Sequence, residues 1–180
     1  GHFGLGFYSA FMVASRVEVL TRSYTSAPAV LWTCTDAGVF EMAEGEREAC
    51  GTDVILHLSE EGMEYLKRER ALAILEKYCA FLAYPIYLSE EGIDAGAAVT
   101  DTSPLWMKNP SEIDEEEYRA FYHKLFGYSS EPLFWVHLNA DYPLNFKGIL
   151  YFPQLKSQFD SMEGEVKLFY NRVFVADNIS

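Results

Sequence analysis

The stretch Gly1-His2-Phe3-Gly4-Leu5-Gly6-Phe7-Tyr8-Ser9-Ala10-Phe11 has three glycines at G-x-x-G-x-G spacing, followed directly by an apolar run that is compatible with a helix. Glycine permits a tight turn that leaves backbone N–H groups open to a ligand. A helix that starts next adds the positive end of its dipole, and both features attract oxyanions. The spacing alone is a weak signal: it favours a plain turn before a buried helix, with a phosphate-binding loop as the alternative.

The composition indicates a globular protein and limits its partners. The 180 residues are 49% hydrophobic and 16% aromatic, which is enough to fill the core of one domain or of two small ones. The formal net charge of -13 argues against nucleic acid or an anionic membrane surface as the main partner. No apolar run is long enough to span a bilayer, and no leader resembles a signal peptide.

The cysteines and histidines do not form a recognisable site. Cys34, Cys50 and Cys79 are odd in number and lack C-x-x-C spacing, so neither a disulfide framework nor a zinc site is predicted, and a reducing cytoplasm fits best. The histidines are scattered and we interpret them as structural or exposed; they are His2, His57, His123 and His137. We therefore predict no catalytic residue and no metal ligand within this chain.

Periodicity in the first half predicts a helix, an antiparallel meander and a second helix. Phe7, Phe11 and Ala14 share one helical face, and the runs 16–22, 29–35 and 39–44 are strand-like, with a turn at 36–38. A strand then follows at 51–58. From Ser59 the pattern favours a helix, broken once, which ends before Pro85, and residues 85–88 are predicted to form a last short strand.

The second half begins with a change in composition. Residues 89–103 are rich in small and acidic residues, which predicts a flexible, exposed linker. A capping-box-like start at Ser111 and Asp114 then predicts a helix whose buried stripe includes Tyr118, Phe121, Tyr122 and Leu125 and whose C-cap is Gly127. The acids 114–117 fit a helix N-terminus better than a metal site.

Three further strand-like runs predict an antiparallel sheet with that helix packed on one face. These runs are 133–138, 144–152 and 166–176. The fold class predicted from the whole pattern is α+β.

Several of these strings resemble the ninety-kilodalton heat-shock chaperone family (heat shock protein 90, bacterial HtpG type). Residues 1–11 resemble the family's lid-closing motif G-Q-F-G-V-G-F-Y-S-A-F, with His2 in place of glutamine and Leu5 in place of valine. Residues 51–58 resemble G-T-x-I-x-L-x-L, and 105–113 resemble the L-W-x-x-x-P-S-E-I that opens the family's middle domain. The resemblance continues in order along essentially all of the chain.

The resemblance implies a domain organisation. Residues 1–88 would be the C-terminal part of the N-terminal ATP-binding domain, a two-layer sandwich of the GHKL (Bergerat) type that DNA gyrase and histidine kinases share. Residues 89–103 would be the interdomain linker and 104–180 the start of the middle domain. The sequence is thus expected to be a fragment of a longer protein.

The resemblance also implies a nucleotide site. The positions that correspond to the family's nucleotide contacts are Gly1, His2, Phe3, Gly4, Leu5, Gly6, Phe7, Thr52 and Val54. The glycine segment would offer backbone N–H groups to the phosphates, Phe7 would border the nucleotide, and the Thr52 hydroxyl would serve the adenine end. ATP or ADP with Mg²⁺ is the implied ligand of the complete protein.

Two functions remain open at this point. In the first, the chain is part of an ATP-dependent chaperone that dimerises, closes a lid on ATP and remodels unfolded or partly folded client proteins. In the second, it is an interaction module without ATPase activity. The family's water-activating acid, its magnesium-binding Asn and its adenine-reading Asp are expected upstream of Gly1, and the Arg that reaches the γ-phosphate is expected beyond Ser180. We therefore expect the chain alone to be inactive and to bind no nucleotide tightly.

Overall fold

The computed structural model of the chain describes residues 6–35, 37–127, 130–143, 145–154 and 166–177. The chain divides into two compact units, Gly1–Ala71 and Leu72–Ser180. Both contain antiparallel sheets and helices, so the α+β class is confirmed. The three sequence ranges proposed above for the ATP-binding domain, linker and middle domain stay a prediction.

The first unit is organised around a four-stranded antiparallel sheet. Its strands are β1 (Ala14–Arg22), β2 (Val30–Thr35), β3 (Phe40–Glu44) and β4 (Gly51–Leu58). Their order is β3-β2-β1-β4, so the predicted meander is confirmed and β4 pairs with the free edge of β1. The chain reverses between β2 and β3 at Gly38, whose φ of 78° favours glycine.

The helix predicted after the glycines is shorter and tighter than expected. It is a 3₁₀ helix, Gly6–Met12, and the predicted third member of its apolar face, Ala14, instead begins β1. Ala14 pairs with Leu58 of β4 and is buried there. The pairing of β1 with β4 thus extends one residue pair beyond Arg16, where the alternation of polar and apolar residues begins.

The second predicted helix is broken once, as expected. A 3₁₀ helix, Glu60–Leu66, is followed at Lys67 by extended backbone and then by α1, Arg68–Tyr78. The Ser59 hydroxyl does not cap the 3₁₀ helix; it donates to the carbonyl of Val13 at 3.2 Å. Helix α1 ends at Tyr78, earlier than the predicted stop before Pro85.

The segment after α1 differs from the prediction in two ways. Residues 85–88 form no strand; instead the Ile86 N–H donates to the Thr100 hydroxyl at 3.0 Å and Ile86 O accepts from Val99 N–H at 2.8 Å. Thr100 is only 7% exposed, so the end of the segment expected to be exposed is packed. Composition did not reveal this, because these contacts join residues more than ten positions apart.

Helix α2, Glu115–Phe126, has the predicted C-cap and buried face, but its N-cap differs in part from the prediction. Asp114 is the N-cap and forms a reciprocal capping box with Glu117, whereas Ser111 belongs to the preceding 3₁₀ helix Pro110–Glu112. Gly127 is the C-cap, with a φ of 66°. The acids 114–117 therefore lie at a helix N-terminus, as predicted.

Four strands follow α2. They are β5 (Pro132–Ala140), β6 (Phe146–Pro153), β7 (Lys167–Tyr170) and β8 (Val173–Asp177). The run 166–176 was predicted as one strand, which is wrong: β7 and β8 form a hairpin whose turn residues Asn171 and Arg172 have φ of 49° and 65°. Positive φ at both positions is typical of a two-residue hairpin turn.

The core of the second unit is aromatic. Helix α2 packs on the β5–β6 pair, with Tyr118 stacked on Trp135 at 5.0 Å between ring centroids and Tyr122 5.1 Å from Tyr151. The prediction of one antiparallel sheet is wrong: in the described residues, β5–β6 and β7–β8 form two separate two-stranded sheets. Periodicity identifies strands but does not specify which of them pair. Phe81 is 2% exposed and lies 4.5 Å from the ring of Trp106, which belongs to the 3₁₀ helix Leu105–Met107.

Candidate functional site

The predicted site residues are described in part. Gly1, His2, Phe3, Gly4 and Leu5 lie outside the described residues. Gly6 and Phe7 open the first 3₁₀ helix, and Thr52 and Val54 belong to β4. The register of the sheet sets the positions of Thr52 and Val54, and a ring contact sets that of Phe7.

The sheet presents Thr52 and Val54 on one face. Val19 of β1 lies opposite Trp32 on one side and opposite Val54 on the other, so these three side chains form a row across the sheet. Two residues further along β1, Thr21 lies opposite Thr52. Since residues at i and i+2 of a strand point to the same face, the threonine pair lies beside the Trp32–Val19–Val54 row.

Phe7 reaches the same face of the sheet. The Phe7 ring meets Trp32 edge-on, with 5.6 Å between centroids, and Phe40 stacks on Trp32 at 6.4 Å. Phe7 is 40% exposed and Val54 is 54% exposed, so both offer apolar surface. Phe7, Thr52 and Val54 therefore lie on one face of the sheet, and Gly6 directly precedes Phe7.

Gly6 has open space around its α-carbon. A Cβ placed on Gly6 would meet nothing within 4 Å. The residue is also held by its own helix turn, since the Ser9 hydroxyl donates to Gly6 O at 2.6 Å. Among the described residues, no neighbouring atom therefore requires glycine at this position on steric grounds.

The two threonine hydroxyls form a small polar patch on this otherwise apolar face. Thr21 Oγ1 and Thr52 Oγ1 are 2.7 Å apart, and Thr21 Oγ1 donates to the carbonyl of Gly51 at 3.3 Å. Because the single proton of Thr21 is used in that bond, Thr52 donates to Thr21. The Thr52 oxygen then presents free lone pairs, which can accept a hydrogen bond from an N–H group or from water.

The opposite face of the sheet carries an ion cluster. Glu18 is paired with Arg16 and lies 3.4 Å from His57 Nε2. The hydrogen bond from Arg16, with help from His57, lowers the pKa of the Glu18 carboxyl. A carboxylate with a lowered pKa is a weak base, so this cluster is better suited to structure than to proton transfer.

Two further histidines make structural contacts in the second unit. His137 Nδ1 is 2.8 Å from the Tyr118 hydroxyl, and its Nε2 is 3.4 Å from Trp106 O. Since a carbonyl only accepts, Nε2 carries the proton and Nδ1 accepts from Tyr118. His123 pairs with Glu131 at 3.1 Å, and that contact, together with one from Arg119, lowers the pKa of Glu131.

Within residues 6–35, 37–127, 130–143, 145–154 and 166–177, no group of three or more His, Cys, Asp or Glu side chains could hold a metal ion. Cys34, Cys50 and Cys79 are free thiols.

Comparison with known proteins identifies the family. A sequence model described as Hsp90 protein matches residues 91–180. The chain belongs to the Hsp90 family. It is 45% identical over 189 aligned residues to the chaperone protein HtpG of Bacteroides fragilis and 42% identical to that of Porphyromonas gingivalis. The HtpG of Roseobacter denitrificans is 37% identical to this Hsp90-family chain over 182 residues.

These relatives are much longer than the chain. Each of the three alignments covers 99% of the chain and 28% of the relative. The chain thus spans little more than a quarter of the curated relatives that it matches. Within the part of this Hsp90-family chain that the structure describes, no helix is long and apolar enough to cross a membrane.

Sequence reasoning missed Thr21 and did not foresee the contact between Trp32 and Phe7. The alternation in β1 places Thr21 on the same face as Val17 and Val19, which was a usable signal. Its pairing with Thr52, however, depends on a register between residues 31 positions apart. A single sequence does not contain that register.

Proposed function

We propose that this chain is part of an ATP-dependent molecular chaperone, and that the sheet face carrying Thr52 and Val54 belongs to its nucleotide site. The main support for this proposal is that Phe7 and Thr52 lie on the same face of the sheet. Phe7 contacts Trp32 on that face, and Thr52 lies beside the row formed by Trp32, Val19 and Val54. This arrangement supports the proposal, because Phe7 directly follows the proposed phosphate loop and Thr52 is the residue proposed for the adenine end. The chaperone names of the relatives support the same proposal.

The chain's own residues would bind and orient the nucleotide. The backbone N–H groups of the segment 1–6, including Gly6, would contact the phosphates, and preorganised N–H groups stabilise charge that develops on phosphate oxygens. Phe7 and Val54 offer exposed apolar surface beside the ligand. Thr52 Oγ1, which donates to Thr21, would accept a hydrogen bond from water or from the adenine amino group.

The wider mechanism is proposed at the level of the family. ATP, accompanied by Mg²⁺, supplies the free energy of hydrolysis when bound. Residues 1–88 would be part of a GHKL-type sandwich, and residues 104–180 would begin the middle domain after the linker 89–103. The complete protein would act as a homodimer in the cytoplasm, binding unfolded or partly folded clients during a cycle of lid closure and dimerisation.

Replacing Thr52 tests the adenine end of the site. In a chimera, these 180 residues replace the matching segment of the Bacteroides fragilis HtpG, and ATP binding is measured by calorimetry. Thr52→Val should weaken ATP binding about tenfold, because it removes one hydrogen-bond acceptor at constant volume. Thr33→Val, on the opposite face of the same sheet, is the matched control and should bind like the unchanged chimera. Equal effects of the two substitutions, or a chimera that binds no ATP, would contradict the proposal.

Replacing Gly6 tests the phosphate end in the same chimera. Gly6→Ala adds a methyl group where the protein has room, so the fold should be unchanged. ATP binding should nevertheless weaken about tenfold, because a Cβ beside the N–H keeps a phosphate from close approach. Circular dichroism and calorimetry separate the two effects. Unchanged affinity would show that Gly6 does not approach the phosphates.

A further inference from the structure

The second unit contains a cavity that the nucleotide proposal does not use. Its volume is about 650 Å³, and aromatic rings line it; they belong to Phe81, Phe169 and Phe174. Lys77, Lys124 and Lys167 also line it. The volume lies within the range of about 300–1,000 Å³ that is typical of sites for small molecules. In a chain with a formal charge of -13, three lysines around one aromatic cavity require an explanation.

The charges at this cavity favour an anion that carries a single charge. Lys124 is paired with Asp101 at 3.4 Å, and two further acids, Glu76 and Asp177, line the cavity. These carboxylates would repel a polyphosphate. They leave room for one negative charge near a lysine that forms no ion pair within the described part of the chain.

Lys77 is that lysine. Its Nζ lies 5.4 Å from the centroids of both the Tyr78 and the Phe174 rings. The ion pairs found among the described residues do not include Lys77. Lys77 is exposed, so its ammonium group is accessible to a ligand and would form a solvent-exposed ion pair with a carboxylate.

We propose that this cavity binds a small amphipathic carboxylate. The carboxylate would pair with Lys77, and a flat or short apolar body would pack against Phe174 and Phe169, whose rings are 5.8 Å apart. Apolar lining with a few polar groups that fix orientation is the usual design of a small-molecule site. This inference does not depend on nucleotide binding, since the lining residues all belong to the second unit.

The test uses the 180-residue chain and two ligands of nearly equal shape, 2-naphthoate and the neutral 2-naphthalenemethanol. Calorimetry should give a dissociation constant of about 1 mM for naphthoate and weaker binding for the alcohol. Lys77→Met should weaken naphthoate binding about fivefold, the upper end for an exposed ion pair, and should leave the alcohol unaffected. Lys77→Arg should keep the binding.

Lys147→Met is the matched control, because Lys147 is exposed on β6 and does not line the cavity. It should bind naphthoate like the unchanged chain. Amide shifts in a two-dimensional NMR spectrum should move at Ala73, Ala80 and Val99, which line the cavity. The proposal is overturned by equal affinities for the two ligands, by equal effects of Lys77→Met and Lys147→Met, by shifts that lie elsewhere, or by no binding.

Discussion

Phe81→Ala is expected to lower the free energy of unfolding of the second unit by about 4 kcal/mol. The ring is 2% exposed and contacts three other aromatic rings, with centroids 4.5 Å away at Trp106, 5.1 Å at Phe169 and 6.0 Å at Phe121. Truncation to Ala removes the buried ring surface and leaves a void between the rings of Trp106, Phe121 and Phe169. Because these rings belong to different secondary-structure elements, they cannot easily move together to fill the void.

The measurement is chemical denaturation followed by tryptophan fluorescence in a Trp32→Phe background. Only Trp106 and Trp135, both in the second unit, then emit. Tyr84→Ala is the control, because that ring is 81% exposed, and it should change the free energy of unfolding by less than about 0.5 kcal/mol. A loss below about 1 kcal/mol for Phe81→Ala would mean that this ring is not part of a tightly packed core.

Gly62→Ala is expected to destabilise the first unit by about 3 kcal/mol. A Cβ on Gly62 would lie 2.1 Å from the carbonyl oxygen of Val13 and 3.3 Å from Leu58 Cβ. The first contact is with backbone and cannot be relieved by a rotamer change. The same carbonyl accepts hydrogen bonds from the Ser59 N–H at 2.9 Å and from the Ser59 hydroxyl at 3.2 Å. Moving the 3₁₀ helix away to make room would weaken both bonds.

Amide hydrogen exchange in β1 and β4 measures this loss, because it reports opening of the first unit separately from the second. Gly6→Ala is the matched control: its added Cβ meets nothing within 4 Å, so its exchange rates should be unchanged. If both variants exchanged at the same rate as the unchanged chain, the close packing of Gly62 against Val13 would be refuted.

The elements with local signals were predicted well. The strands of the first unit alternate in polarity, and α2 has a cap at each end, so its start at Asp114 and its stop at Gly127 follow from nearby residues. One error arose where residues distant in sequence decide, since the backbone at 85–88 is bonded to 99–100. The other is local: β7 turns back into β8 at two residues with positive φ, which the continuous strand-like pattern concealed.

The candidate site shows the same division. Gly6, Phe7, Thr52 and Val54 were selected because the strings around them resemble a known family. The sequence did not reveal the hydrogen bond between the hydroxyls of Thr21 and Thr52. It also did not reveal that the Phe7 ring contacts Trp32 on the sheet face that carries Val54. The role of these residues in nucleotide binding remains a proposal.

The sequence by itself determined the identity of the family, the acidic character and the kinds of element along the chain, because motifs, charge and periodicity are local properties. Tertiary structure decided which strands are neighbours and which face of the sheet carries the site residues. It also decided that three lysines and three phenylalanines line one cavity. The physical reason is that sheet register and side-chain packing join residues far apart in sequence. Their hydrogen bonds and contacts exist only once the chain has folded.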